Sequence, residues 1–326
     1  MGTTRRDLID DLRWATPHPT ERTPVIWTGI LLGLGAALGH SLAYLATRWF
    51  TEDRGRSTGQ LLVLSHVVMG LICVVAMVVL WPENLGVQLS WLGRLAGLIT
   101  FFIIAQTSLI TSLGMADASR IAPLLGLKVA VLAVIAVLLG GTLSWMQWGG
   151  VALAVAAAWV LNGVGGRLPW RVTGLVVLAC LAYAIADTFI LETIQEVRRI
   201  SGDQSTMGAP LFTVTAVYTT VGVIAACLLP RYGSRDTKAW RDALPYVASW
   251  MMTMVFLYGT FAAVGTVLGS ILQSGRGLIS IGLGIVLAHW GWHHLEQKHG
   301  WAVQLRRLGA AALMCLAVYL YVKGVQ

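Results

Sequence analysis

The sequence predicts an all-α polytopic membrane protein, with about ten transmembrane helices arranged as two inverted five-helix repeats. Three observations carry this. The 326 residues are 56% hydrophobic and only 12% charged, with a mean hydropathy of +0.72. Soluble domains carry about 25% charged residues. The apolar residues fall into runs of roughly 20, the length that crosses a bilayer core as a helix. None of the runs alternates with period two, which excludes a barrel. Three segments of the first half also recur, in order, in the second.

The first run spans 25–46 and ends at the charged stretch "TEDRGRS". The second, 60–81, stops at "WPENLG", and the third and fourth cover 92–114 and 119–140. The fifth, 145–164, leads into "NGVGGRLPWR", after which the sixth covers 171–192. The seventh, 209–230, precedes the basic loop "RYGSRDTKAWR". The last three are 244–266, 268–290 and 304–323. The organisation read from these runs is a polar tail over 1–24, a first five-helix repeat over 25–165 and a second over 166–326.

The recurrence is specific. "WTGILLGLGAAL" aligns with "VTGLVVLACLAY", placing Thr28-Gly29 over Thr173-Gly174. "ADASRIAPLLGLKVAVLAV" aligns with "VGTVLGSILQSGRGLISIG", placing Lys128 over Arg276. "WGGVALAVAAAWVLN" aligns with "LGAAALMCLAVYLYV", placing Gly149 over Gly309 and Trp159 over Tyr319. The offsets are 145, 148 and 160, so an insertion of about twelve residues falls in "WGWHHLEQKHGW". Five helices per copy is an odd number. The copies therefore point in opposite directions, as in secondary transporters.

Two stretches, "SRIAPLLGLKVAVLAVIAVLLGGTLSWMQWGGVALAVAAAWVLNG" and "GSILQSGRGLISIGLGIVLAHWGWHHLEQKHGWAVQLRRLGAAALMCLAVYLYV", resemble the drug/metabolite transporter (DMT) superfamily, in particular EamA-type members. Leu295-Glu296 matches the short turn ending in an acid that precedes the last helix of such repeats. The first copy departs from it, with Gly140-Gly141-Thr142 and no acid. The resemblance covers about residues 25–324 and implies a secondary transporter of the inner or plasma membrane working by alternating access. The nucleotide-sugar and triose-phosphate branch is similar in placing cations on these two helices.

The intramembrane charges are the candidate site. Lys128 and Arg276 lie about nine and eight residues into their runs. At 1.5 Å per residue this is near the bilayer midplane, where a charge costs at least about 2.5–3.5 kcal/mol. Two cations at one repeat-equivalent position suit an anionic substrate group, a carboxylate or phosphate. Gly275 and Gly277 remove side chains beside Arg276, so that a ligand or a neighbouring helix can approach its backbone. Gln273 and Ser274 add polarity there, and Gln106 and Tyr183 are candidates to line the same cavity. Asp187 is the one acid well inside a helix: a counter-ion, a proton carrier or a residue of the helix end. His40 is a second candidate for ion coupling, against a hydrogen-bonded core histidine. Exchange of one anion for another is the alternative to proton coupling. Tyr258 is a further candidate wall, and hydrogen bonding between helices is the simpler account of Thr107, Ser108, Thr111 and Ser112.

Other chemistry is poorly supported. The cluster His289, His293, His294, Glu296 and His299 has one i, i+4 pair, but it falls in an insertion at a helix end. Neither metal nor cofactor is expected, and neither a nucleophile paired with a base nor a phosphate-binding loop suggests an enzyme. Cys73, Cys180, Cys227 and Cys315 read as small apolar residues. The net charge of +8 suits lipid headgroups, and no nucleic-acid motif accompanies it. Expected partners are a small-molecule substrate and the lipid bilayer, with a homodimer left open. Alternatives are an amino-acid or drug exporter, a lipid-phosphate flippase and a non-transporting membrane subunit. Loop Lys/Arg residues divide eight to thirteen, favouring both termini outside, whereas the resemblance implies both inside.

Overall fold

The computed structural model describes residues 19–113, 115, 122–161, 169–202, 205–276, 279, 283 and 301–325. Among these residues every regular element is a helix. The elements are α1 (Pro19–Arg48), continued by a π-helical turn (Trp49–Asp53), α2 (Thr58–Val79) and α3 (Leu89–Leu113). A 3₁₀ turn (Ala122–Gly126) then leads into α4 (Leu127–Leu138), followed by α5 (Trp145–Leu161) and α6 (Trp170–Ser201). The rest are α7 (Gly208–Cys227), the short α8 (Leu229–Tyr232), α9 (Thr237–Ser274) and α10 (Trp301–Lys323). Described helix covers part of each of the ten apolar runs.

Six of the segments are long and apolar enough to cross a membrane. The outward surfaces of these and of the shorter helices suit lipid: Val78, Val79, Leu138, Trp145 and Trp170 are 72–79% exposed. Contiguous apolar exposure of this kind is foreign to a soluble monomer. The chain is therefore a multi-pass membrane protein.

Local signals account for the helix ends. Ser57 caps α2, its Oγ accepting from the Gln60 N–H at 3.1 Å. Asp236 caps α9 by accepting from the Lys238 N–H at 2.9 Å. Both supply an acceptor to the otherwise unpaired donors of a first turn. α1 begins at Pro19, six residues inside the polar tail read from the sequence. The eighth and ninth runs form one element, α9, interrupted at Gly265 by φ 78°, ψ 172°. A side chain would be strained there, so glycine is what permits the break. The two segments, 237–264 and 266–274, are treated separately below.

The packing is pairwise. α1 lies along α9, α3 along α6, α5 along α10 and α2 along α7. α2 and α7 meet backbone to backbone at Gly70 and Gly222, where a Cβ added at Gly222 would stand 2.5 Å from the Gly70 Cα. Without a hydrophobic force between helices in lipid, such close approach supplies the dispersion contact that joins them. One apolar core joins α1, α2, α3, α6, α7 and the 237–264 segment, around Phe50, Leu64, Met69, Leu98, Phe212 and Phe261. A second joins α4, α5, α10 and the 266–274 segment, around Val129, Leu132, Ala154, Ile271 and Ala317.

Two ion clusters fasten helix ends. Arg56, after α1, reaches Asp236 at 3.1 Å and Asp242 at 3.0 Å, and Arg54 reaches Asp242 at 3.8 Å. Arg94, in the first turns of α3, lies 3.6 Å from Glu196 and 4.0 Å from Glu192 on α6. The Asp236 carboxyl is held below its ordinary range, first by the Lys238 N–H and then by Arg56.

Two outcomes are expected. Gly222→Ala should lower stability by about 1–3 kcal/mol, the cost of forcing a methyl into a filled contact; a melting curve identical to wild type would show that α2 and α7 do not meet there. Asp236→Asn keeps the cap but loses the ion pair. Because the folded carboxyl is depressed, its contribution is present above the ordinary Asp value of about 4 and is lost as pH falls through the folded value. The melting difference between wild type and variant should accordingly vanish on acidification, and a difference independent of pH would count against the pair.

Candidate substrate site

Most of the predicted site residues converge on one cavity of about 160 Å³. A single buried water needs about 10–15 Å³ on the same measure, so on the order of ten waters or a small metabolite would fit. His40, Gln106, Lys128, Tyr183, Asp187, Gln273 and Arg276 all line it. They arrive from α1, α3, α4, α6 and the segment after Gly265, so no single element makes the site.

Lys128 sits at the second residue of α4, directly after the 3₁₀ turn. This differs from the sequence expectation, which started the helix at 119 and placed Lys128 nine residues in. The α-helix proper starts only at Leu127. The Lys128 ammonium donates to Asp187 Oδ2 at 2.7 Å and to Gln273 Oε1 at 2.9 Å. Ser270 Oγ donates to the same Asp187 oxygen at 3.5 Å. The Lys128 and Asp187 side chains are 13% and 6% exposed, which makes this a buried ion pair. It also joins α4 and α6 to the segment that follows Gly265.

Arg276 is arranged differently. Its guanidinium carbon stands 5.8 Å from the centre of the Tyr44 ring, within cation–π range. Among the described residues it has no carboxylate within 4.0 Å. Its backbone carbonyl accepts from Ser41 Oγ at 2.9 Å, and Ser41 also donates to Ala37 O at 2.9 Å. α1 therefore approaches the Arg276 backbone, the close approach read from the flanking glycines. A Cβ at Gly275 would lie 3.1 Å from the Leu272 carbonyl. Gly277 lies outside the described residues.

The remaining candidates divide. The Tyr183 hydroxyl donates to Gln106 Oε1, tying α6 to α3 on the cavity wall. His40 places Nδ1–H on Ala36 O at 3.3 Å and turns its ring edge to Trp250, centroids 5.2 Å apart. Ser274 is corrected: its Oγ donates to Ser270 O at 2.8 Å, within its own helix, and it does not line the cavity. A helical serine satisfies itself this way when no partner competes. Ser108, Thr111 and Ser112 likewise bond to carbonyls of α3 rather than across helices. Tyr258 does wall the cavity. His289, His293, His294, Glu296 and His299 lie outside the described residues.

Sequence reasoning missed Tyr44, Tyr246 and Trp250, which give the cavity an aromatic wall. Tyr246 stacks on Trp250 at 5.5 Å, and the Trp250 indole N–H donates to the Tyr218 hydroxyl at 2.7 Å. The available signal was spacing: Tyr44 is four residues after His40, and Trp250 four after Tyr246, each pair sharing one helix face.

No family model matches this chain, and no curated protein matches it. A solved crystal structure superimposes with a TM-score of 0.64, covering 90% of this chain and 95% of that one at 16% sequence identity. At that identity the likeness is one of fold.

Removing one member of the buried pair should be costly. Lys128→Ala strands the Asp187 carboxylate and is expected to destabilise by about 3–5 kcal/mol. The double variant Lys128→Met/Asp187→Leu should recover most of that loss. Thermal unfolding of the wild type, Lys128→Ala, Lys128→Met, Asp187→Leu and the double variant measures it, and additive single losses of the Met and Leu variants would mean that the two side chains do not interact.

Proposed function

We propose that the chain is a secondary transporter of the inner or plasma membrane, DMT-like and EamA-type, carrying a small anionic metabolite by alternating access. The observation that carries this reading is the central cavity flanked by two repeat-equivalent cations, one of which has no carboxylate partner among the described residues. A purely structural Arg276 would be sealed against an acid with no cavity beside it.

The packing supports the inverted ten-helix repeat. Exchanging the halves turns α1 into α6, α2 into α7, α3 into 237–264, α4 into 266–274 and α5 into α10. This operation carries the α2–α7 and α5–α10 pairs onto themselves and the α3–α6 pair onto α1–α9. Gly70 and Gly222, on partner helices, touch one another, as residues beside a pseudo-twofold axis do. The ion clusters follow the same rule with charge reversed: Arg94 on α3 faces acids of α6, and Asp242, 148 residues on, faces arginines after α1. On this reading α1 with α9 and α3 with α4 and α6 are two bundles that rock around the cavity.

The Lys128–Asp187 pair favours a second form of the same reading, a carrier in which one cation is satisfied internally, as in exporters of amino acids or drugs. The two forms separate at Arg276.

Reconstituted into liposomes, the wild type is expected to accumulate at least one of a panel of labelled carboxylates and phosphate esters with saturation. Arg276→Gln should lose that uptake while its melting temperature stays near wild type. If no anion accumulates and Arg276→Gln merely melts earlier, the arginine is structural and anion transport is wrong.

A further inference from the structure

We infer that the cavity takes an aromatic monocarboxylate lacking an ammonium group, with Arg276 as its anchoring cation. This rests on the transport reading above and narrows it.

Charge counting decides the anion. Among the described residues, the Lys, Arg and Asp side chains that line the cavity are Lys128, Arg276 and Asp187, a sum of one positive charge. Lys128 spends its charge on Asp187 at 2.7 Å and a second donor on Gln273 at 2.9 Å. The Arg276 guanidinium, over the Tyr44 ring, has no carboxylate within 4.0 Å among the described residues, and its planar fork matches a single carboxylate. A phosphate monoester brings about −1.5 to −2 charges and three acceptor oxygens, more than one fork satisfies. Asp187, the one acid among the described residues that line the cavity, is already closed by Lys128, so an ammonium group finds no counter-charge among them. Amino acids and amines are thereby disfavoured.

The duplication explains why Arg276 is left over. At the alignment offset of 145, Asp187 corresponds to Leu42 on α1. The second copy's sixth helix thus supplies an acid to Lys128, and the first copy's α1 supplies none to Arg276. The substrate's carboxylate takes the place that the missing acid would fill.

The walls decide the body. Tyr44, Phe102, Tyr246, Trp250 and Tyr258 face the cavity along with several leucines. Rings in such a cage bind by edge-to-face and offset contacts, which an aromatic body can make on several sides. About 160 Å³ suits a single-ring acid.

The test is thermal unfolding of the purified full-length protein in detergent with benzoate, succinate, glycerol 3-phosphate, phenylalanine and benzylamine. Benzoate is expected to raise the melting temperature, and benzylamine and phenylalanine to leave it unchanged. Leu42→Asp, which puts a carboxylate at the position of α1 that the alignment matches to Asp187, should weaken benzoate about ten- to a hundredfold, the worth of one charge-assisted bond. Where that variant does not fold, Arg276→Gln in the same assay decides, with loss of the benzoate response expected. A larger shift with succinate or glycerol 3-phosphate than with benzoate overturns the monocarboxylate and leaves the anion carrier standing. A phenylalanine shift equal to that of benzoate overturns the exclusion of ammonium groups. A benzoate response untouched in both variants removes Arg276 as the anchor. No response to any anion removes the transport reading and this inference together.

Discussion

The buried pair between Lys128 and Asp187 is the contact on which the centre of this molecule depends. It joins α4 to α6 at 2.7 Å, and through Gln273 it reaches the segment beyond Gly265. A lone ammonium in hydrocarbon surroundings would draw in water or leave the bilayer. A lone carboxylate beside it would do the same. Held together, they let a polar centre persist inside a shell of leucine, valine and aromatic side chains. The cavity exists because this charge is settled, and its character follows from the neighbouring charge that is not.

Glycine sets the architecture around that centre. At Gly70 and Gly222 the missing side chains let α2 and α7 touch along their backbones. At Gly265 the missing side chain permits a φ of 78°, and one long element becomes two. The first segment meets Arg54 and Arg56 at its start, through Asp242. The second carries Gln273 and leads to Arg276. A single residue thus separates the part of α9 that is fastened near the surface and gives the cavity its aromatic wall from the part that gives it Gln273.

Much of this was legible in the sequence because hydrocarbon makes every polar residue conspicuous. Lys128, Arg276, Asp187, Gln273, Gln106, Tyr183 and His40 stand out in apolar runs, and all seven reach the cavity. The helical runs were legible for the same reason. What sequence did not disclose is partner choice. Nothing in spacing tells whether Asp187 serves Lys128 or Arg276, since the three lie 59 to 148 residues apart. Ser274 looked like a cavity residue because it neighbours Arg276, but a helical hydroxyl can bond to the carbonyl four residues before it. Tyr44 and Trp250 were passed over because an aromatic in a membrane helix is equally a packing residue. The start of α4 was misplaced because a 3₁₀ turn is as apolar as the helix it precedes.

The Arg276 guanidinium, with no carboxylate beside it among the described residues, bears on energetics as well as recognition. In a carrier built this way the empty form is the charged one, and an anion bound at Arg276 brings the Lys, Arg and Asp side chains of the cavity to electrical balance. Reorienting the empty form across a membrane potential then involves work of up to about 2.3 kcal/mol per charge for each 100 mV, whereas the loaded form moves with little net charge. Such a cycle turns over most readily when each departing anion is replaced by another before the return step, so a carrier with this arrangement would favour counter-exchange over one-way flux.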